Sequence, residues 1–141
     1  MIDDIVALNQ TEFDPASLAD DGSSWLDKTV EKPWGYEREI YRSGAVSITR
    51  LVINPGAETS MHCHIGKDVT FIVEEGECVL DSLSGIIPMR AGEQVQIQRG
   101  AFHRTRTAKG CALLEVESPA NKRDIVRLTD RYGRGQGYAA R

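Results

Sequence analysis

The stretch GAETSMHCHIGKDVTFIVEEG, residues 56–76, decides how the rest of the chain is read. A Pro55-Gly56 turn leads into a segment rich in Val, Ile, Thr and Phe, the composition of extended backbone. On a strand, residues two apart face the same way, so His62 and His64 point together and Cys63 points oppositely. Imidazoles presented in this way suit zinc, iron, copper or nickel. A third histidine, His103, lies in RGAFHRTRTA, and the chain has no other. The EEGE at 74–77 reads as a hairpin signal, with Gly76 closing the turn.

Outward from this stretch, from Trp34 on, short runs rich in Val, Ile, Tyr and Thr recur between Gly, Pro, Asn and Asp. They are YEREIYRS, AVSITRLVI, VTFIV, ECVLDS, GIIPMR, AGEQVQIQ, RGAFHRTRTA, CALLEVES and DIVRL. Many short strands at close, regular spacing imply an all-β antiparallel sandwich or barrel. Pro88 inside an apolar run marks that strand as an edge or as bulged. There is no long amphipathic helix and no repeat of solenoid period. Residues 1–31 form a polar, acidic N-terminal arm with a DDGSS loop signal at 20–24, either packed on the barrel or partly mobile. Residues 32–134 are the barrel domain. Residues 135–141 are a glycine-rich tail, and the stretch from Lys122 onward is basic. The acidic and basic ends either pair or are simply solvated.

At 141 residues the chain is one domain, long enough to bury a core without disulfide staples. A net charge of −4 gives no reason to expect a nucleic-acid or membrane partner. No apolar run approaches a membrane span, and the acidic start lacks the features of a secretory signal. Cys63, Cys78 and Cys111 are an odd set at unrelated spacings. They read as reduced thiols of a cytoplasmic protein.

At this point the sequence resembles the cupin family. The first cupin motif runs glycine, five residues, HxH, three or four residues, glutamate, six residues, glycine. Here Gly56, AETSM, His62-Cys63-His64, IGKD, Val69, TFIVEE and Gly76 keep that spacing, with valine in place of the glutamate. The second motif runs glycine, five residues, PxG, two residues, histidine, three residues, asparagine. Here it is Gly92, EQVQI, Gln98-Arg99-Gly100, AF, His103, RTR and Thr107. KPWGYE at 32–37 and the end DIVRLTDRYGR also look like the C-terminal cupin domain of type II mannose-6-phosphate isomerases. The resemblance implies a jelly-roll barrel with metal in its mouth and a connection to sugar phosphates or surface-polysaccharide precursors. Those domains often follow a sugar-nucleotide pyrophosphorylase, for which this chain has no room.

The resemblance implies His62, His64 and His103 as ligands of one divalent transition metal per chain: iron, zinc, manganese or nickel. Three neutral imidazoles leave the ion's charge uncompensated, which makes a stronger Lewis acid than a site with a carboxylate. Glu115 is the acidic residue set deepest in an apolar strand. Pointing inward it would be a general base, although strand parity alone does not decide its side. Lys67 sits where the isomerase-like domains place an arginine, and reads as a phosphate-holding residue or a solvated lysine. Thr105 and Thr107 share the side of His103 and are candidate substrate contacts. Arg104 and Arg106 point away from it. Arg131-Tyr132-Gly133-Arg134 reads as closing the barrel or a dimer contact. The expected function is a metal-dependent, isomerase-like enzyme acting on a small polar or phosphorylated sugar, assembled as a homodimer. The alternatives are a three-histidine iron dioxygenase and a non-catalytic sugar- or anion-binding module.

Overall fold

A computed structural model describes residues 2–19 and 26–134. The DDGSS signal at 20–24 and the tail 135–141 fall outside the described residues. Ten strands follow a short helix, α1 (Ile2–Asn9), and a 3-10 turn (Pro15–Leu18). They are β1 (Thr29–Lys32), β2 (Gly35–Ser43), β3 (Val46–Ile53), β4 (Met61–Cys63), β5 (Asp68–Ser82), β6 (Ile86–Arg90), β7 (Gln94–Ile97), β8 (His103–Arg106), β9 (Cys111–Ser118) and β10 (Val126–Thr129). The named strands pair antiparallel, in the order β1-β2-β3-β9-β5-β8-β4-β10, with β6 and β7 each added to β5. The curled sheet is an all-β jelly roll.

The hairpin expected at EEGE does not form. VTFIV and ECVLDS are the two halves of one strand, β5, which bends at Gly76. The first half pairs with β7 and β9, and the second with β6 and β8. The register against β9 slips between Val73 and Glu75, so the extra residue is absorbed as a bulge rather than a reversal. Gly76 has φ +78°, and a Cβ there would stand 2.6 Å from the Gly110 carbonyl oxygen. Only glycine fits a bend at such close approach. Pro88 lies in β6, which pairs with β5 alone among the described strands, so the strand edge expected there is observed.

Two apolar clusters fill the fold. The larger contains Trp34, Leu51, Ile53, Val69, Phe71, Val73, Leu80, Met89 and Leu113. The smaller brings Ala7 of α1 onto Met61, Cys63, Phe102 and Val126, with Leu8 packed beside them. The Asp4 carboxylate accepts the Phe102 N–H at 2.7 Å and fastens the helix just before β8. The inward face of β2, β3 and β9 is not purely apolar. Glu39, Thr49, Glu115 and Phe71 lie in register across β2, β3, β9 and β5, and Ser47, Glu117 and Val69 form the row beside them. Buried Lys67 and Lys122 offset these carboxylates.

Candidate metal centre

His62 on β4 stands directly opposite His103 on β8, and His64 follows β4 by one residue. Cys63 points the other way, into the smaller cluster, as the alternation of a strand requires. The three imidazoles converge: one ring nitrogen from each lies within 4.8 Å of the others.

Each ring is held from behind by a backbone carbonyl. His62 Nδ1 donates to the Ser60 oxygen at 2.8 Å, His64 Nδ1 to that of Asp124 at 2.6 Å, and His103 Nδ1 to that of Ala101 at 2.9 Å. A carbonyl only accepts, so Nδ1 carries the proton and Nε2 keeps its lone pair. Nε2 of His64 and of His103 is buried without a hydrogen-bond partner. A buried polar atom left bare costs stability unless something fills the place. Burial holds all three imidazoles below the usual histidine range, His103 at about 4, so they are neutral donors at pH 7. A neutral, convergent trio with two orphaned nitrogens fits a divalent transition metal.

Asp124 is a support the sequence did not suggest. Besides its carbonyl on His64, its carboxylate accepts the N–H groups of Ile65 and Gly66 at 2.9 and 2.7 Å. It thus fixes the loop that carries His64 from 60 residues away.

His62 and His64 open on a small chamber of about 40 Å3. His62, His64, Phe71, Thr105 and Glu115 line it, together with Lys32, Glu37, Arg127 and Arg134. Glu115 therefore lies on the inward side. Burial and the neighbouring Glu117 push its carboxyl up to about 7, against the pull of Lys67 and Lys122. Thr105 lines the same chamber. Val69, in place of the family's glutamate, is 1% exposed and packs in the larger cluster. Its cross-strand neighbour Glu117 is a carboxylate, but that group is engaged by Lys67 and Lys122.

Two expected substrate contacts are placed elsewhere. Lys67 is 2% exposed, with its ammonium against Glu117 and 3.0 Å from the Asn121 carbonyl, so it balances buried charge. Thr107 faces an outer groove of about 830 Å3 that contains none of the histidines. Its hydroxyl donates to the Glu77 carbonyl at 2.7 Å and accepts from Gly110 N–H at 3.1 Å, which makes it a turn staple. Arg104 and Arg106 turn outward onto Asp81 at 2.8 and 2.9 Å. Arg134, expected to close the barrel or to form a dimer contact, also lines the chamber.

Comparison with known proteins agrees with this geometry. Residues 49–117 match the Cupin domain family. The xanthan biosynthesis protein XanB of Xanthomonas campestris is 28% identical over 116 residues, covering 79% of this chain and 25% of that protein. The chain thus spans about a quarter of the length of the curated relatives it matches. An RmlC-like cupin from Shewanella frigidimarina superposes with TM-score 0.62 at 19% identity, over 70% of this chain and 93% of that one. A sugar phosphate isomerase of the cupin superfamily from Silicibacter pomeroyi gives TM-score 0.55 at 21% identity, over 60% of this chain and 59% of that one. Among the described residues no helix is long and apolar enough to cross a membrane. Motif spacing, curled sheet and convergent histidines all agree with the Cupin domain match over residues 49–117.

Proposed function

We propose that this chain is a metal-dependent enzyme that moves a proton on a small polar, phosphorylated sugar. The observation that carries the reading is the convergence of three imidazoles, two of them with bare Nε2 atoms, beside a chamber lined by His62, His64 and the inward carboxyl of Glu115. His62, His64 and His103 would hold the ion, which when bound supplies Lewis-acid polarisation of a substrate oxygen. Glu115, with a pKa near neutrality, suits a base that must also act as an acid. It takes a proton from the hydroxyl-bearing carbon beside a carbonyl and returns it to the former carbonyl carbon, while the hydroxyl proton passes to the former carbonyl oxygen, so that aldose and ketose interconvert with no net change in atoms. Phe71, Trp34 and Leu51 wall the chamber and limit water. Relatives named for polysaccharide biosynthesis and a neighbour named sugar phosphate isomerase support the substrate class.

The test is turnover of mannose 6-phosphate and related sugar phosphates by protein loaded in turn with zinc, manganese, nickel and iron. Glu115→Gln is expected to lose about 10²–10⁴-fold in kcat while its metal content is unchanged. No turnover with any of these ions would sink the reading.

The chamber's size favours a second reading. About 40 Å3 holds roughly three waters, or one molecule the size of dioxygen, without movement of the walls. A three-histidine iron oxygenase would show oxygen uptake that depends on Fe(II) and on a thiol or diketone. A bound zinc that iron cannot replace would count against it.

A further inference from the structure

We infer that Arg134 is the anion-binding residue at the rim of the chamber, holding the phosphate of the ligand while its sugar end reaches the histidines. The inference rests on the proposed sugar-phosphate reading and adds to it the residue that recognises the charge. The chamber is too small to enclose a phosphorylated hexose, so the anionic group must stay at the mouth. Among the charged lining residues Arg134 is the most exposed. Its side chain is 14% exposed, against 4% for Lys32 and for Glu37, and Arg127 and Glu115 are buried, at 6% and 8% exposed.

Its guanidinium is oriented in advance. Nε donates to Asp130 Oδ2 at 2.9 Å and Nη2 to Oδ1 at 3.1 Å, a two-pronged clamp. The Tyr132 ring lies beneath, 5.6 Å from Cζ to its centroid. A guanidinium has five N–H donors, and the clamp uses two of them. The remaining edge keeps its donors while the arginine loses little freedom on binding. Lys32 is committed differently, with Glu37 at 3.9 Å. An Arg134–Asp130 pair that merely stapled the turn after β10 would need no place in the chamber lining.

The test is calorimetric binding of mannose 6-phosphate, mannose and inorganic phosphate to the full chain, metal-free and zinc-loaded. Arg134→Gln is expected to weaken both phosphate-bearing ligands about 10–100-fold in either form, the loss of charged hydrogen bonds. Metal content and any mannose binding should not change. Arg134→Lys, which keeps the charge but breaks the fork, should fall between the two and guards against a folding defect. If the parent binds mannose 6-phosphate and Arg134→Gln binds it equally well, the inference is wrong and the substrate reading survives. If inorganic phosphate binds through Arg134 but no sugar phosphate is turned over, the inference survives and the proposed function does not. If the parent binds neither phosphate-bearing ligand, both fail.

Discussion

At the scale of single residues, Asp124 and Glu115 carry consequences that the histidines alone do not. Asp124 holds His64 by its carbonyl and the next two residues by its carboxylate. Asp124→Ala removes the second grip and lets the loop relax away from the ligand position. Metal affinity should fall about 10–100-fold, as is usual when a supporting partner of a ligand is lost, and a metal-competition titration measures it. Glu115 bears on stability. Its folded pKa, about 7, lies above the ordinary 4.5, so its contribution is fully present below about pH 4.5. It is lost as pH rises through about 7, a gap equivalent to about 3 kcal/mol at most. Metal-free Glu115→Gln should therefore gain on the parent between about pH 5 and pH 8 in urea unfolding. A difference that stays flat across that range would show that the carboxyl ionises as if exposed. The histidines were legible because an HxH strand and one distant histidine leave few alternatives. Asp124 was not, because its bond to His64 spans 60 residues and nothing local marks it.

At the scale of elements, nearly every strand was legible as a β-rich run between turn residues, and β5 shows where that reading fails. Glu74, Glu75 and Gly76 have the composition of a hairpin, yet the chain continues and passes from one half of the curled sheet to the other. Local composition announces a deviation from regular strand and does not say whether the chain reverses or bends. Gly76→Ala would force a side chain into left-handed backbone and against the Gly110 oxygen. It should cost roughly 2–4 kcal/mol, read as a lower denaturation midpoint. A loss under about 1 kcal/mol would mean that the bend relaxes easily. Strand β9 was ambiguous for a related reason. Leu113, Glu115 and Glu117 face inward and Leu114 and Val116 outward, so the strand turns its carboxylates to the interior. A hydrophobic-in reading mis-sorts such a strand, because the lysines that make its buried carboxylates tolerable lie outside it, Lys122 in the following loop and Lys67 50 residues away from Glu117.

At the scale of the whole molecule, those lysines and the metal site are two solutions to one problem, polar groups enclosed in a barrel. The Lys67–Glu117–Lys122 cluster is closed by ion pairs and by the Thr49 hydroxyl, 2.8 Å from Lys122 Nζ. Lys67→Met leaves a buried carboxylate under-compensated and should destabilise by about 3–5 kcal/mol, with ligand binding preserved in whatever protein folds. A substrate lysine would show the opposite pattern. The histidine cluster lacks any such internal closure among the described residues, because the Nε2 atoms of His64 and His103 meet no partner. An ion that binds there and not to the unfolded chain must add stability in proportion to its occupancy. At about a hundredfold excess over its Kd, a divalent ion is worth about 3 kcal/mol, which raises Tm by roughly 5–10 °C in a chain of this length. The increment should vanish on chelation and be absent from the His62→Ala, His64→Ala double variant. That variant removes the bare Nε2 of His64 and keeps that of His103, so its metal-free Tm should lie near that of the metal-free parent. Equal shifts in parent and variant would place the stabilising ion somewhere other than between the three imidazoles.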